Sequence, residues 1–269
     1  MPDRDWVKLA IVEFLGPFAL VFAGVGAIIQ TNGENLLAIA LAHGLAIGLM
    51  VSAVGHISGG AFNPAVTLGL LAARRIELDR AIVYIVAQLL GGVAGAGALT
   101  LVYRDLERNR PNINLGVPAI GQNLSVGNAL AVEVILTFFL MFVIFGVAID
   151  HRTGRAISGL VIGLTITLDI LAGGVVSGAV MNPARAFGPS VVQWDWPDHW
   201  IYWVGPIVGA VIAAVLYNDV LLADEVAGGG PSDRISPEHP REARGEEDDG
   251  PFPAVSLPGR SRRARRRRR

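Results

Sequence analysis

Six stretches of this chain are long and apolar enough to cross a hydrocarbon core, and two others stop about halfway. That pattern constrains the fold more than any single residue does. A helix needs roughly 20 apolar residues to span about 30 Å. The full spans fall at about 7–30, 36–55, 81–103, 126–149, 156–174 and 199–222. The short stretches, about 61–73 and 180–192, follow the second and fifth spans. Each carries Asn-Pro near its start, and proline suits a first helical turn, where its missing N–H is not needed. Short helices of this kind are tolerated at membrane depth only where they line a cavity or are buried in protein. The predicted fold class is an all-α membrane protein of six transmembrane helices plus two re-entrant half-helices.

The chain also repeats itself. Ser58-Gly59-Gly60-Ala61-Phe62-Asn63-Pro64-Ala65 matches Ser177-Gly178-Ala179-Val180-Met181-Asn182-Pro183-Ala184 at an offset of 119, and Glu13 is echoed by Glu133 at an offset of 120. Gly44 answers Gly163, and Gln88 to Gly91 loosely answers Pro206 to Gly209. Three spans per repeat make the second copy inverted, so the half-helices enter from opposite faces and meet near the midplane. Residues 1–222 are expected to form the membrane domain, with repeat one at about 6–103 and repeat two at about 126–222. Residues 223–269 form a charged tail ending in five arginines, with the composition of a disordered segment.

Only 17% of the residues are charged, against roughly 25% in soluble domains. Eleven of the 22 Lys and Arg residues lie at or beyond Arg234, so the membrane region is almost uncharged. Cysteine is absent, which removes thiol nucleophiles, disulfides and Cys-based metal sites. No His pair at metal-ligand spacing within a span and no Ser-His-Asp arrangement can be placed. The expectation is therefore no enzyme, no cofactor, no metal and no nucleic-acid partner. Lys and Arg in the short connections favour one side, with Arg4, Lys8, Arg74, Arg75, Arg80, Arg152, Arg155 and the tail. By the positive-inside rule both termini are cytoplasmic, with the cell membrane as the expected location; the tail is expected to be a solvated segment of no specific role, with contact to anionic lipid headgroups as its functional alternative.

Two facing Asn-Pro-Ala turns carry specific chemistry. A helix N-terminus holds roughly half a unit of positive charge. Two of them meeting at the midplane repel cations and hydronium. The side-chain amides of Asn63 and Asn182 would donate to the oxygen of a passing water, turning its hydrogens outward and interrupting a proton relay. Such a pore conducts neutral solutes and excludes charge. Glu13 and Glu133 lie inside spans, where an ionisable side chain is functional by default. Their pairing suggests that each accepts backbone N–H bonds from a re-entrant loop, which has no water to satisfy it.

With those motifs the sequence resembles the aquaporin (major intrinsic protein) family over about residues 6–222. The carrying residues are Asn63-Pro64-Ala65, Asn182-Pro183-Ala184, His56-Ile57-Ser58-Gly59-Gly60, Arg185 with Ala186-Phe187-Gly188-Pro189, and His199 to Pro206. The resemblance implies a narrow pore through each subunit of a homotetramer. It also implies an aromatic/arginine selectivity filter made by His43, Ile170, Ala179 and Arg185. His-Ile-Ala-Arg looks like the plant vacuolar (tonoplast intrinsic) subfamily, with a filter wider and less polar than in strict water channels. The expected permeants are water and small neutral solutes such as ammonia or hydrogen peroxide. A glycerol- or urea-conducting channel is the alternative within the family. Ala186 and Ser190 stand where its glycerol branch has an aspartate and a basic residue, and Tyr202-Trp203 is the water-channel pairing. A secondary transporter and a non-conducting structural protein are the alternatives from other classes.

Four smaller expectations complete the reading. Arg185 is to be held by Asn123 or by a backbone carbonyl of the loop at about 104–125, because that loop has no histidine. His56 is expected to brace the first re-entrant loop through a hydrogen bond. Asp169 is expected to pair near the membrane edge. The glycines along the spans are expected to permit close helix crossing.

Overall fold

The computed structural model describes residues 6–108, 111–153 and 155–222; the tail at 223–269 lies outside the described residues. Among the described residues, six helices are long and apolar enough to cross a membrane: α1 (Trp6–Thr31), α2 (Leu36–Ser58), α4 (Leu78–Arg104), α5 (Val126–Ile149), α6 (Ser158–Ser177) and α8 (Ile201–Leu221). Two short helices, α3 (Pro64–Ala72) and α7 (Pro183–Gln193), are the half-helices.

The boundaries differ from the sequence expectation in one consistent way. Spans α2 and α6 run on to Ser58 and Ser177, and the half-helices begin at the prolines. Gly59 and Gly178 take left-handed backbone angles, φ 96° and 85°, and end the spans there. The earlier glycines of both spans stay helical. Residues 59–63 and 178–182 then form two short connections without regular secondary structure.

Glycine contacts tie the two repeats together. Between α2 and α6, a Cβ on Gly44 would strike the Gly163 carbonyl, and one on Gly163 would strike the Gly44 carbonyl. A similar close approach joins α4 to α7: a Cβ on Gly92 would strike the Ala184 carbonyl, and one on Gly188 would strike the Gly92 carbonyl. Gly91 lies against the Phe14 carbonyl on α1, and Gly209 against the Val134 carbonyl on α5, so the α1–α4 and α5–α8 crossings are repeat-related copies. Close backbone approach of this kind drives association where lipid supplies no hydrophobic force between helices. The apolar surface runs opposite to that of a soluble protein: Leu37, Leu41, Leu45 and Leu49 on α2 and Leu160, Leu164 and Leu168 on α6 are exposed. Polar groups such as Glu13, Gln88, Glu133 and Asp169 are buried.

Candidate functional site

The half-helices meet N-terminus to N-terminus. Asn63 caps α3 by accepting the Ala65 N–H at 2.9 Å, and Asn182 caps α7 by accepting the Ala184 N–H at 3.0 Å. Each asparagine also donates across the repeat boundary: Asn63 Nδ2 to the Met181 carbonyl at 2.8 Å, and Asn182 Nδ2 to the Phe62 carbonyl at 2.9 Å. One amide hydrogen of each asparagine is thereby used to hold the junction. The other stays available to the cavity that both residues line.

Reaching this geometry forces Phe62, Ala179 and Met181 into positive φ, at 50°, 46° and 54°, where each L-residue costs roughly 1–2 kcal/mol. Two buried carboxylates offset that cost. Glu13 accepts from Ser58 Oγ at 2.6 Å, from the Ala61 and Phe62 N–H groups at 3.1 and 2.8 Å, and from Gln88 Nε2 at 2.8 Å. Glu133 accepts from Ser177 Oγ at 2.6 Å and from the Val180 and Met181 N–H groups at 2.8 Å each. The repeat mate of Gln88 is Pro206, which has no such donor, so the second carboxylate has one partner fewer.

The first re-entrant loop has a further brace. Arg80 Nε donates to the Tyr84 hydroxyl at 2.8 Å and Arg80 Nη2 to the Ser58 carbonyl at 3.2 Å, and the Tyr84 hydroxyl donates to that same carbonyl. His56, expected to do this, is instead exposed at the end of α2. Tyr202 is the repeat mate of Tyr84, yet its buried hydroxyl has no partner among the described residues.

A cavity runs past the junction. His43, Ile170, Ala179 and Arg185 all line it, and all four are buried. His43 Nδ1 lies 2.8 Å from the Ile39 carbonyl. A carbonyl only accepts, so the proton sits on Nδ1 and Nε2 is left as the acceptor. Arg185 Nη1 donates to the Gly116 carbonyl at 2.8 Å. Of the two holders anticipated from sequence, the backbone carbonyl is the one observed. Asn114, Leu115 and Gly116 are all left-handed, which turns that carbonyl toward Arg185. Leu115 anchors the turn among Val21, Val25, Ile29 and Leu99. Gly116 had no signal in the sequence beyond being one of many glycines.

The pseudo-symmetry exposes a difference between the two ends. The repeat mates of His43, Ile170, Ala179 and Arg185 are Ile162, Val51, Gly60 and Val66, and these line the same cavity. One end therefore carries an imidazole and a guanidinium, and the other only aliphatic groups and a glycine. Apart from the junction asparagines, the remaining wall is largely apolar, with Leu20, Ile47, Leu140, Ile144 and Ile166.

The sequence matches the family described as Major intrinsic protein over residues 3–217. The chain belongs to that family. Among its aquaporin relatives, the "Probable aquaporin TIP-type alpha" of Phaseolus vulgaris is 41% identical over 232 residues, covering 82% of this chain and 88% of that protein. Human Aquaporin-5 is 45% identical over 232 residues, covering 82% and 86%. The solved aquaglyceroporin of Plasmodium falciparum superposes with a TM-score of 0.77 at 26% identity, covering 83% of this chain and all of that one. As a major intrinsic protein with six spans, the chain is an integral, multi-pass membrane protein. Asp169, one residue before Ile170, departs from expectation. It is 3% exposed inside α6, and its Oδ2 has no partner among the described residues, so it makes no pair at the membrane edge; nothing in the structure explains it.

Proposed function

We propose that this chain is a passive channel for water that also admits ammonia-sized neutral solutes and excludes protons and ions. The observation that carries the reading is the junction of Asn63 and Asn182. Two half-helix N-termini and two amide donors face one cavity whose other lining side chains are mostly apolar, with His43 and Arg185 as the polar exceptions. A water oxygen accepts from both amides, so its own hydrogens point away along the pore, and the positive helix ends raise the energy of any cation.

Selection is assigned to the end that holds His43, Ile170, Ala179 and Arg185. Arg185 donates and repels cations, while the His43 imidazole borders the same end and limits its width. Ile170 and Ala179 add no polar group and leave width. The opposite end, with Val51, Gly60, Val66 and Ile162, offers nothing to discriminate on and serves as a vestibule. Glu13 and Glu133 act as loop braces, not as proton carriers, because their oxygens are already engaged by donors. No reaction is assigned to the chain. We infer further that four copies assemble with one pore each, that both termini face the cytoplasm, that the protein resides in the cell membrane, and that the arginine-rich tail contacts anionic headgroups there.

The test is stopped-flow light scattering on proteoliposomes of the purified protein, with ammonia, glycerol and proton fluxes assayed beside water. Water and ammonia fluxes above empty vesicles, without glycerol flux or proton leak, are expected. Absence of water flux overturns the proposal. Water without ammonia narrows the filter, and glycerol flux reassigns the chain to the broader solute class.

A further inference from the structure

We propose that Gly24 is a positioning residue for the selectivity filter: the space left by its missing side chain holds the His43 imidazole back from the lumen and so sets the aperture. The inference rests on the filter reading above.

Gly24 lies on α1 within the wide turn Val21–Val25. A Cβ built on it would overlap Cδ2, Nε2 and Cε1 of His43 at once. The whole outer edge of the imidazole therefore occupies the volume that any other residue would fill. The ring has little freedom to yield, because its Nδ1–H is committed to the Ile39 carbonyl at 2.8 Å. It is also nearly enclosed, at 3% exposure. A methyl group at position 24 must break that bond, move α1, or swing the ring into the cavity it borders. Only the last direction leads into open space.

The second repeat supports the coupling. The mates of Gly24 and His43, at offsets of 120 and 119, are Ile144 and Ile162, and both line the cavity. There the helix corresponding to α1 supplies a branched side chain and its neighbour another. At the filter end the first side chain is deleted and the second is a planar ring. Bulk removed from α1 is thus taken up by the imidazole. Gly16, two turns earlier on the same face, does likewise for a different ring: a Cβ there would overlap Phe62. Between these glycines Leu20 reaches the cavity.

The experiment compares Gly24→Ala, His43→Ala and the double variant in proteoliposomes, measuring water and ammonia permeability per reconstituted protein. Gly24→Ala alone is expected to lower water permeability about tenfold, the factor given by an added barrier of about 1.4 kcal/mol. In the His43→Ala background the same substitution is expected to change flux by no more than about twofold, the ordinary scatter between independent sites. Equal losses in both backgrounds, or no loss from Gly24→Ala alone, overturn the proposal. If Gly24→Ala alone does not fold, recovery of a folded channel in the double variant supports the steric partnership, and failure of both overturns it. An unchanged water-to-ammonia ratio in His43→Ala alone refutes the filter reading itself, and the inference with it. That failure appears without any change at position 24.

Discussion

Replacing Glu13 by alanine removes four hydrogen bonds at one stroke: those from Ser58 Oγ, from the Ala61 and Phe62 N–H groups and from Gln88 Nε2. The two side-chain donors have recourse. Gln88 Nε2 also reaches Thr67 Oγ1 at 3.0 Å, and a hydroxyl rotates. The two backbone N–H groups do not, because they sit in a loop held by Gly59 at one end and the Asn63 cap at the other. A buried donor left without a partner costs about 1–3 kcal/mol, so the two together cost about 4 kcal/mol. That is a large share of the roughly 5–15 kcal/mol by which a domain is stable. For a chain of this size it corresponds to a fall in Tm of roughly 8–16 °C. The assay is thermal unfolding of the purified protein in detergent, followed by tryptophan fluorescence, with water flux measured on the surviving fraction. Glu133→Ala removes three donors and is expected to fall slightly less. A Tm within about 2 °C of the parent, with flux intact, corresponds to less than about 1 kcal/mol. It would refute the argument, because the loop would then be held by something other than the carboxylate.

Three other outcomes are expected. Gly116→Ala places a Cβ in a left-handed residue, φ 64°, 2.8 Å from Val25 Cγ1; it should release Arg185, and a proton- or cation-leak assay should detect the loss of the barrier while folded yield stays measurable. Gly44→Val drives a side chain into Thr167 and the Gly163 carbonyl. Overpacking costs about 1–3 kcal/mol and the contact is with backbone, so size-exclusion chromatography should show little folded protein. Asp150, just past α5, gives a pH dependence. Burial alone would raise its carboxyl, but the side-chain and backbone donors of Arg152, with the Tyr217 hydroxyl, outweigh it and hold the group below the ordinary carboxylate range. A depressed carboxyl stabilises the fold above its unfolded value and loses that contribution as pH falls through the folded one. The Tm difference between the parent and Asp150→Asn should thus be present at neutral pH, begin to shrink on acidification below about pH 4 and vanish once the pH passes the folded value.

The sequence by itself determined the architecture: six spans, two half-helices and an inverted repeat. Those follow from length, apolarity and an odd number of crossings per copy, all of which are properties of the chain read in one dimension. The paired carboxylates and the two Asn-Pro-Ala turns were equally legible, because a buried charge and a re-entrant backbone each demand a partner and each occurred twice. What could not be read was which of several chemically suitable groups would meet. The Gly116 carbonyl, not Asn123, holds Arg185, because three successive left-handed residues aim it there. Arg80 and Tyr84, not His56, brace the first loop, since helical phase on α4 directs them to Ser58. That the imidazole of His43 rests in the gap at Gly24 depends on the crossing of α1 and α2 to within a methyl group's width. Periodicity and charge act through composition along the chain. Reach and clearance are decided only when helices cross at particular angles, and that is a property of the tertiary structure alone.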